Sequence, residues 1–226
     1  MSPVRNVLIC SAGMGSRLGL TTPKCLAPVE GRPLIHWQLD QLDEIENVVV
    51  VVGYHAPHVM ASVMAKRPDA VFVINHDYEH TTTLDSMMMG AVYFREPFIY
   101  LDGDLIVDGS AIERMSEAPS PAVGIRRTYS EHPVCVHLGT NGESHIVTGF
   151  TSELMEYEWT GMAKLGPEHV KRTSTEEYVY QAIEHFLPVH AVEIDCVEID
   201  TQQDYDEAQA WMRKRRHAKN ALEIAA

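Results

Sequence analysis

The chain offers little for a disulfide framework. Its four cysteines, Cys10, Cys25, Cys135 and Cys196, are scattered over 226 residues with no CxxC pair, the usage expected of free thiols in a reducing cytoplasm. Long apolar runs are also missing: none reaches the roughly 20 residues that a bilayer-spanning helix needs. The start, MSPVRNVLIC, enters a strand-like run too early to hold the apolar region of a signal peptide. A cytoplasmic location without membrane association is therefore expected. Positive charge is scarce as well. Lys and Arg number 18 against 32 Asp and Glu, a formal net charge of −14, which argues against general nucleic-acid binding. There is no internal repeat, low-complexity tract, linker or HExxH zinc motif. What remains is an ordinary globular composition, 45% hydrophobic and 22% charged, long enough to bury a sizeable core.

Charge is unevenly spread. Residues 1–35 hold Arg5, Arg17, Lys24 and Arg32 against Glu30 alone, while the middle of the chain is acidic. The basic stretch includes Leu8 to Pro28, LICSAGMGSRLGLTTPKCLAP. An apolar run ends at Cys10, and the small-residue loop Ser11-Ala12-Gly13-Met14-Gly15-Ser16 follows, then Arg17 and, after a spacer, Pro23-Lys24. Glycines let backbone approach a ligand closely, and successive loop N–H groups can point at an anion. Arg17 offers a planar fork for phosphate oxygens and Lys24 a compact point charge. A dinucleotide fingerprint would need glycine where Leu18 stands, and the Gly-Lys-Ser/Thr of a P-loop is absent. The reading is a strand feeding a phosphate-binding loop with two fixed cations.

The rest of the chain supplies a frame for that loop. Val4–Cys10, Asn47–Val52, Ala70–Asn75 and Phe98–Leu101 read as strands. Helices between them are expected from Pro33 (with Leu34, Trp37, Leu39 and Leu42 as its apolar face), over Pro57–Lys66, and over Ser86–Phe94, started by Thr82, Thr83 or Asp85. Met87, Met88 and Met89 read as core filler. This β-α-β-α-β-α-β order implies an α/β fold, a doubly wound, mixed but mainly parallel, Rossmann-like sheet. Ligands bind such sheets at strand C-termini, where strand order reverses. With the order 3-2-1-4, the glycine loop and Asp102-Gly103-Asp104, which ends the fourth strand, face one site. The second half alternates strands and turns: Pro121–Thr128, Pro133–Leu138, Ser144–Thr151 around an Asn141-Gly142 hairpin signal, Tyr157–Ala163, His190–Ile194 and Val197–Ile199. A helix from Ser174 or Thr175 and a last one from Thr201 to about Lys219 complete it. One domain spans 1–226: a nucleotide-binding half, 1–110, and an acceptor-binding half, 111–226, a strand-rich insertion and lid.

The G-x-G-S-R, spacer, P-K pattern resembles the signature of nucleotidyltransferases with the sugar-nucleotide pyrophosphorylase fold. Those enzymes join a nucleoside triphosphate to a phosphorylated small molecule and release pyrophosphate. The resemblance implies Mg²⁺ as cofactor, with Asp104 as one ligand and an acidic residue of Glu198-Ile199-Asp200 as the other; Asp200 is preferred and Glu198 is kept beside it. It implies that Arg17 and Lys24 grip the triphosphate and transition state, and that the glycine loop, Asp102, Thr82, Thr83 and Ser86 bind the nucleotide. Val52-Gly53-Tyr54, Ser86 and the Glu-Ile-Asp run resemble short phosphocholine and phosphonate cytidylyltransferases, although Thr82-Thr83 stand where those relatives carry asparagines. No appended acyltransferase or β-helix domain is expected.

The expected activity is transfer of CMP from CTP to a small phosphorylated or phosphonate acceptor. A sugar-1-phosphate nucleotidylyltransferase using UTP, dTTP or GTP is the runner-up, and a non-catalytic nucleotide-binding regulatory module is the alternative of another class. Acceptor candidates are Arg126 and Arg127 for an anionic group, and Tyr157, Glu158 and Trp159, with the Glu176-Glu177-Tyr178 run, for a cationic headgroup. A homodimer is admitted as the assembly.

Overall fold

The structure, a computed structural model, describes residues 3–15, 21–171 and 176–225, the last nine of these as backbone. Strand β1 (Asn6–Ser11) is buried at every position. It pairs in parallel with β4 (Asn47–Val52) on one side and β6 (Phe98–Asp102) on the other, and β4 pairs in parallel with β5 (Val71–Ile74). The resulting order, β5-β4-β1-β6, is the 3-2-1-4 arrangement expected from the sequence. Short β2 (Pro28–Val29) and β3 (Arg32–Pro33) form a separate hairpin between β1 and β4.

Continuous apolar runs make these strands because both sheet faces are covered. Alternate residues serve opposite layers. Val7, Ile9, Val48, Val50, Ile99 and Leu101 pack with α1 (Leu34–Leu39), α2 (Ala56–Met64) and α4 (Ala111–Glu117). Leu8, Cys10, Val49, Val51, Phe98 and Tyr100 pack with α3 (Thr83–Ala91) and α5 (Val179–Glu184). All four cysteines are buried and free. Met87 is fully buried, as expected of core filler, whereas Met89 is 37% exposed.

The second half differs from the expected insertion. Its strands continue the same sheet, through β11 (Tyr157–Leu165), β8 (Ala122–Arg127), β12 (Val189–Glu193), β10 (Ser144–Thr151) and β9 (Cys135–Asn141). β11 runs antiparallel to both β6 and β8, and β12 runs parallel to β8. The parallel part therefore ends at β6, and the whole sheet is mixed. β9 and β10 form the hairpin signalled by Asn141-Gly142, with Gly142 at φ +64°.

Two further short strands, β7 (Leu105–Val107) and β13 (Cys196–Glu198), pair antiparallel beside the main sheet. A third apolar cluster joins Val29, Leu34, Ile106, Val197, Ile199 and Ala208 and anchors α6 (Gln202–Ala225). The Tyr205 hydroxyl and Gln209 Nε2 donate to the Pro28 carbonyl, tying α6 to the segment that follows Lys24. The candidate helix starts at Ser174 and Thr175 lie outside the described residues; α5 begins at Val179. No helix among the described residues is long and apolar enough to cross a membrane.

Candidate active site

Pairing of β1 with β6 sets Cys10 opposite Asp102, so the glycine loop and the Asp102-Gly103-Asp104 turn leave neighbouring strand ends. The two touch. A Cβ on Gly103 would lie 2.4 Å from the Cys10 carbonyl oxygen and 2.5 Å from Ser11 Oγ, so a larger residue would push the carboxylates off the loop. Gly15 sits at φ +64°, and a Cβ there would meet Lys24 Cγ at 2.5 Å. Glycine thus leaves room for the aliphatic stem of Lys24 against the loop. Of the other loop residues, Ala12 is buried and its carbonyl accepts the Tyr54 N–H at 3.0 Å, while Met14 is exposed. Ser16 and Arg17 lie outside the described residues.

The far wall comes from the end of the chain. Pairing of β13 with β7 puts Glu198 opposite Leu105, and the Ile199 N–H donates to the Asp104 carbonyl at 3.0 Å. Asp204 orders the next turn: its Oδ2 accepts from the Asp200 N–H at 3.1 Å, the Thr201 N–H at 2.7 Å and the Thr201 hydroxyl at 2.9 Å. Carboxylate oxygens of Asp104, Glu198 and Asp200 come within 4.8 Å of one another. Lys24, opening a short 3-10 turn (Lys24–Leu26), reaches into this group. Its Nζ donates to Asp104 Oδ2 at 3.0 Å and to Asp200 Oδ1.

The electrostatics follow from that crowding. Burial alone would lower the Lys24 pKa, but Asp104 and Asp200 outweigh it and hold the ammonium above lysine's ordinary range. Glu198 is pushed well above the carboxylate range, first by burial and then by Asp104, Asp102 and Asp200. Hard carboxylate oxygens at this spacing suit a divalent cation such as Mg²⁺, so the residues present fit one.

Asp102 is partly buried at the floor of the cleft, and desolvation followed by the Asp104 charge pushes its pKa up to about 8, against a lowering hydrogen bond from the Tyr100 hydroxyl. The sign of the linkage is definite. Unfolded Asp releases its proton near pH 4, whereas folded Asp102 keeps it to about pH 8. Metal-free wild-type protein accordingly loses stability as pH rises across that window. Asp102→Asn removes this loss, so thermal midpoints measured in EDTA should fall less steeply with pH in the variant. Parallel slopes would contradict the assignment.

The cleft, about 390 Å³ in volume, is lined by Ser11, Gly13, Gly15, Lys24, Thr83, Asp102, Asp104, Glu198 and Asp200. Among the described residues no histidine lines it. Thr82 and Ser86, read as nucleotide ligands, are otherwise engaged. Thr82 caps α3 in a reciprocal box with Asp85, and Ser86 is buried, its hydroxyl oxygen accepting from Asn75 Nδ2 at 3.2 Å.

The acceptor candidates divide. Arg126 is 7% exposed and Glu158 1%; Arg126 Nε donates to Glu158 Oε1 at 2.6 Å, and Nη1 donates to the Cys196 carbonyl at 2.9 Å. Arg127 pairs with Glu156 on the surface. Both arginines line a separate cavity with Arg114 and Tyr129, and neither lines the cleft, although the Arg126 charge is felt by Glu198. Arg126→Met strands the Glu158 charge in the interior, and urea denaturation should register a loss of about 3–5 kcal/mol with the acceptor KM unchanged. Unchanged stability with a raised acceptor KM would return Arg126 to the acceptor site. Glu176 is buried against His185. Tyr157 lies beneath Arg127, 5.2 Å from its guanidinium.

Trp159 belongs to a row of rings that reaches the cleft: Trp159 to Phe150 at 6.3 Å, Phe150 to Tyr180 at 5.5 Å, and Tyr180 stacked on Tyr178 at 5.8 Å. Tyr178, one of the headgroup candidates of the Glu176-Glu177-Tyr178 run, lines the cleft; Gln38 is a site residue that the sequence reading does not include. The buried Gln38 amide donates to the Asp102 carbonyl at 2.7 Å and the Leu105 carbonyl at 2.8 Å, bracing the carboxylate turn. The available signal was an amide at apolar helical spacing, four residues after Leu34.

Comparison with known proteins gives the family and the fold. The model of the MobA-like NTP transferase domain matches residues 7–150. CMP-5'-(3-aminopropyl)phosphonate synthase of Streptomyces rubellomurinus is 33% identical over 124 residues, covering 52% of this chain and 20% of that protein. Bifunctional protein GlmU of Burkholderia orbicola is 31% identical over 116 residues, 50% of this chain and 25% of that protein. The chain thus spans only about a fifth to a quarter of the length of these curated relatives. Among solved structures, the inositol-1-phosphate CTP transferase from T. maritima superposes with a TM-score of 0.75 at 19% identity, over 92% of this chain and 96% of that one. At that identity the likeness is one of fold.

Proposed function

The chain belongs to the MobA-like NTP transferase domain family, and from that premise we propose that it transfers CMP from CTP to a small phosphorylated or phosphonate acceptor, releasing pyrophosphate, with Mg²⁺ as cofactor. The observation that carries the reading is the convergence of the glycine loop, Lys24 and the carboxylates of Asp104, Glu198 and Asp200 on one cleft.

The acceptor's phosphate or phosphonate oxygen is anionic near neutral pH and needs no general base, which accords with a cleft lined by no described histidine. The barrier lies in bringing two anions together and in the charge that builds on the departing pyrophosphate. Cations fixed in advance lower it. Loop N–H groups from Ser11 to Gly15 receive phosphate oxygens. Lys24 moves positive charge onto the triphosphate, with Arg17, outside the described residues, proposed as the second cation. Asp104 and Asp200 would hold Mg²⁺, which supplies charge stabilisation and orientation at the α-phosphate when bound.

The choice of CTP is supported by two relatives whose names are those of cytidylyl enzymes. The row from Tyr178 to Trp159 offers ring faces to the far end of an acceptor, a surface suited to a cationic group. The test is a pyrophosphate-release assay crossing CTP, UTP, GTP, ATP and dTTP with aminoalkylphosphonates, phosphocholine, inositol 1-phosphate and sugar 1-phosphates. Turnover with CTP and a phosphonate or phosphocholine-like acceptor is expected. Turnover with UTP and sugar 1-phosphates alone would overturn the base and acceptor assignment.

A further inference from the structure

Lys24 holds two of the carboxylates that would hold a metal. Its Nζ contacts Asp104 Oδ2 and Asp200 Oδ1, two of the three residues in the cluster of close acidic ligands found among the described residues. The Lys24 side chain is 14% exposed, so little water screens the contact. Mg²⁺ requires its oxygens at about 2.0–2.1 Å in near-octahedral order. Sharing a carboxylate oxygen with an ammonium would set two cations about 4–5 Å apart, where like charges repel in a partly buried site.

The stem of Lys24 is fixed in a different way from its head. Gly15 leaves the space that the stem fills, with Cγ 2.5 Å from where a Cβ would stand. Lys24 is therefore attached to the phosphate-binding loop through its stem and to the acidic cluster through its ammonium. Rotation about the terminal torsions carries the charge from the carboxylates toward an anion lying on the loop, without moving the backbone.

We infer that Lys24 is an internal counter-ion that competes with divalent metal for Asp104 and Asp200, and that it gives up the cluster when a triphosphate on the glycine loop draws its ammonium away. Free metal is then a poor ligand of the nucleotide-free protein, and metal and triphosphate load together. The second half of this statement rests on the nucleotidyltransferase reading; the competition itself rests on the contacts alone.

The test uses Mn²⁺ binding followed by electron paramagnetic resonance, on the full chain without nucleotide. Lys24→Met keeps the length of the stem and removes the charge, and Lys24→Gln serves as a second neutral variant should the first fold poorly. Each neutral variant is expected to bind Mn²⁺ at least about tenfold more tightly than wild type, the scale set by removing a like charge at contact distance. Adding Asp104→Asn to either should abolish the gain. Equal or weaker Mn²⁺ binding in both folded neutral variants would overturn the inference, as would a gain that survives the loss of Asp104. The two readings fail separately. Pyrophosphate release by wild type with no Mn²⁺ gain in the variants would sink the counter-ion alone. A Mn²⁺ gain without nucleotidyl transfer by wild type would uphold the competition and remove the proposed activity.

Discussion

Lys24→Ala should lower the rate of nucleotidyl transfer by about 10²–10³-fold, the usual cost of deleting one preorganised charge at a transition state. The variant should retain a cooperative thermal melt and an unchanged far-UV spectrum. Lys24 contributes no apolar anchor to the core; its ammonium contacts two carboxylates at the cleft and its stem lies against Gly15 of the loop. The loss should fall mainly on kcat, because the charge that matters develops as pyrophosphate departs. Lys24→Arg should not rescue it. A guanidinium is planar and broad, and the stem is confined against Gly15. Near-normal turnover in Lys24→Ala would remove the residue from the mechanism.

The second large effect concerns the acidic wall. Asp104→Asn and Asp200→Asn each remove one hard anionic ligand, and each should cost at least about 10²-fold in turnover, near 2.7 kcal/mol in the barrier. The Mg²⁺ concentration for half-maximal rate should rise in both. Glu198→Gln should be milder, about tenfold or less. In the metal-free protein burial and three neighbouring carboxylates push the Glu198 carboxyl above its usual range, which is the reason for proposing it as the poorer ligand. That result would assign Asp200 as the second protein ligand, and a Glu198→Gln defect exceeding that of Asp200→Asn would assign Glu198 instead. Steady-state rates across a magnesium titration distinguish the outcomes.

Much of the architecture was legible because it is written in local patterns. Five consecutive valines at Val48–Val52 and the run from Val7 to Cys10 imply strands covered on both faces, and the helices between them impose parallel order. Two such strands ending in Gly13-Met14-Gly15 and Asp102-Gly103-Asp104 then meet at the reversal between β1 and β6. The family resemblance implies a group of Asp104, Glu198 and Asp200, and the fold brings the three together.

Other features depend on partners that no local pattern announces. Arg126 resembled an anion ligand, yet the register of β8 on β11 places Glu158 beside it, 32 residues away. β11 itself breaks alternation at a bulge between Trp159 and Ala163, where Gly161 takes φ +75° against Asp102. The side on which Trp159 falls was therefore unreadable. Ser86 matched a family position, but Asn75 from the preceding strand end binds it in the interior. Gln38 was hidden as one polar letter on an apolar helix face. Continuation of the sheet through β11, β8 and β12 is not legible in the sequence, because antiparallel strands separated by turns look alike whether they extend a sheet or form an insertion.

The most direct test of the central claim follows both products at once, with CTP labelled at the α-phosphate and an aminoalkylphosphonate or phosphocholine acceptor. The expected result is label transferred to the acceptor with one pyrophosphate released per product, abolished by EDTA and restored by Mg²⁺. Label appearing only as free CMP, at a rate indifferent to acceptor, or no transfer from any of the five nucleoside triphosphates to any acceptor in the panel, would contradict it.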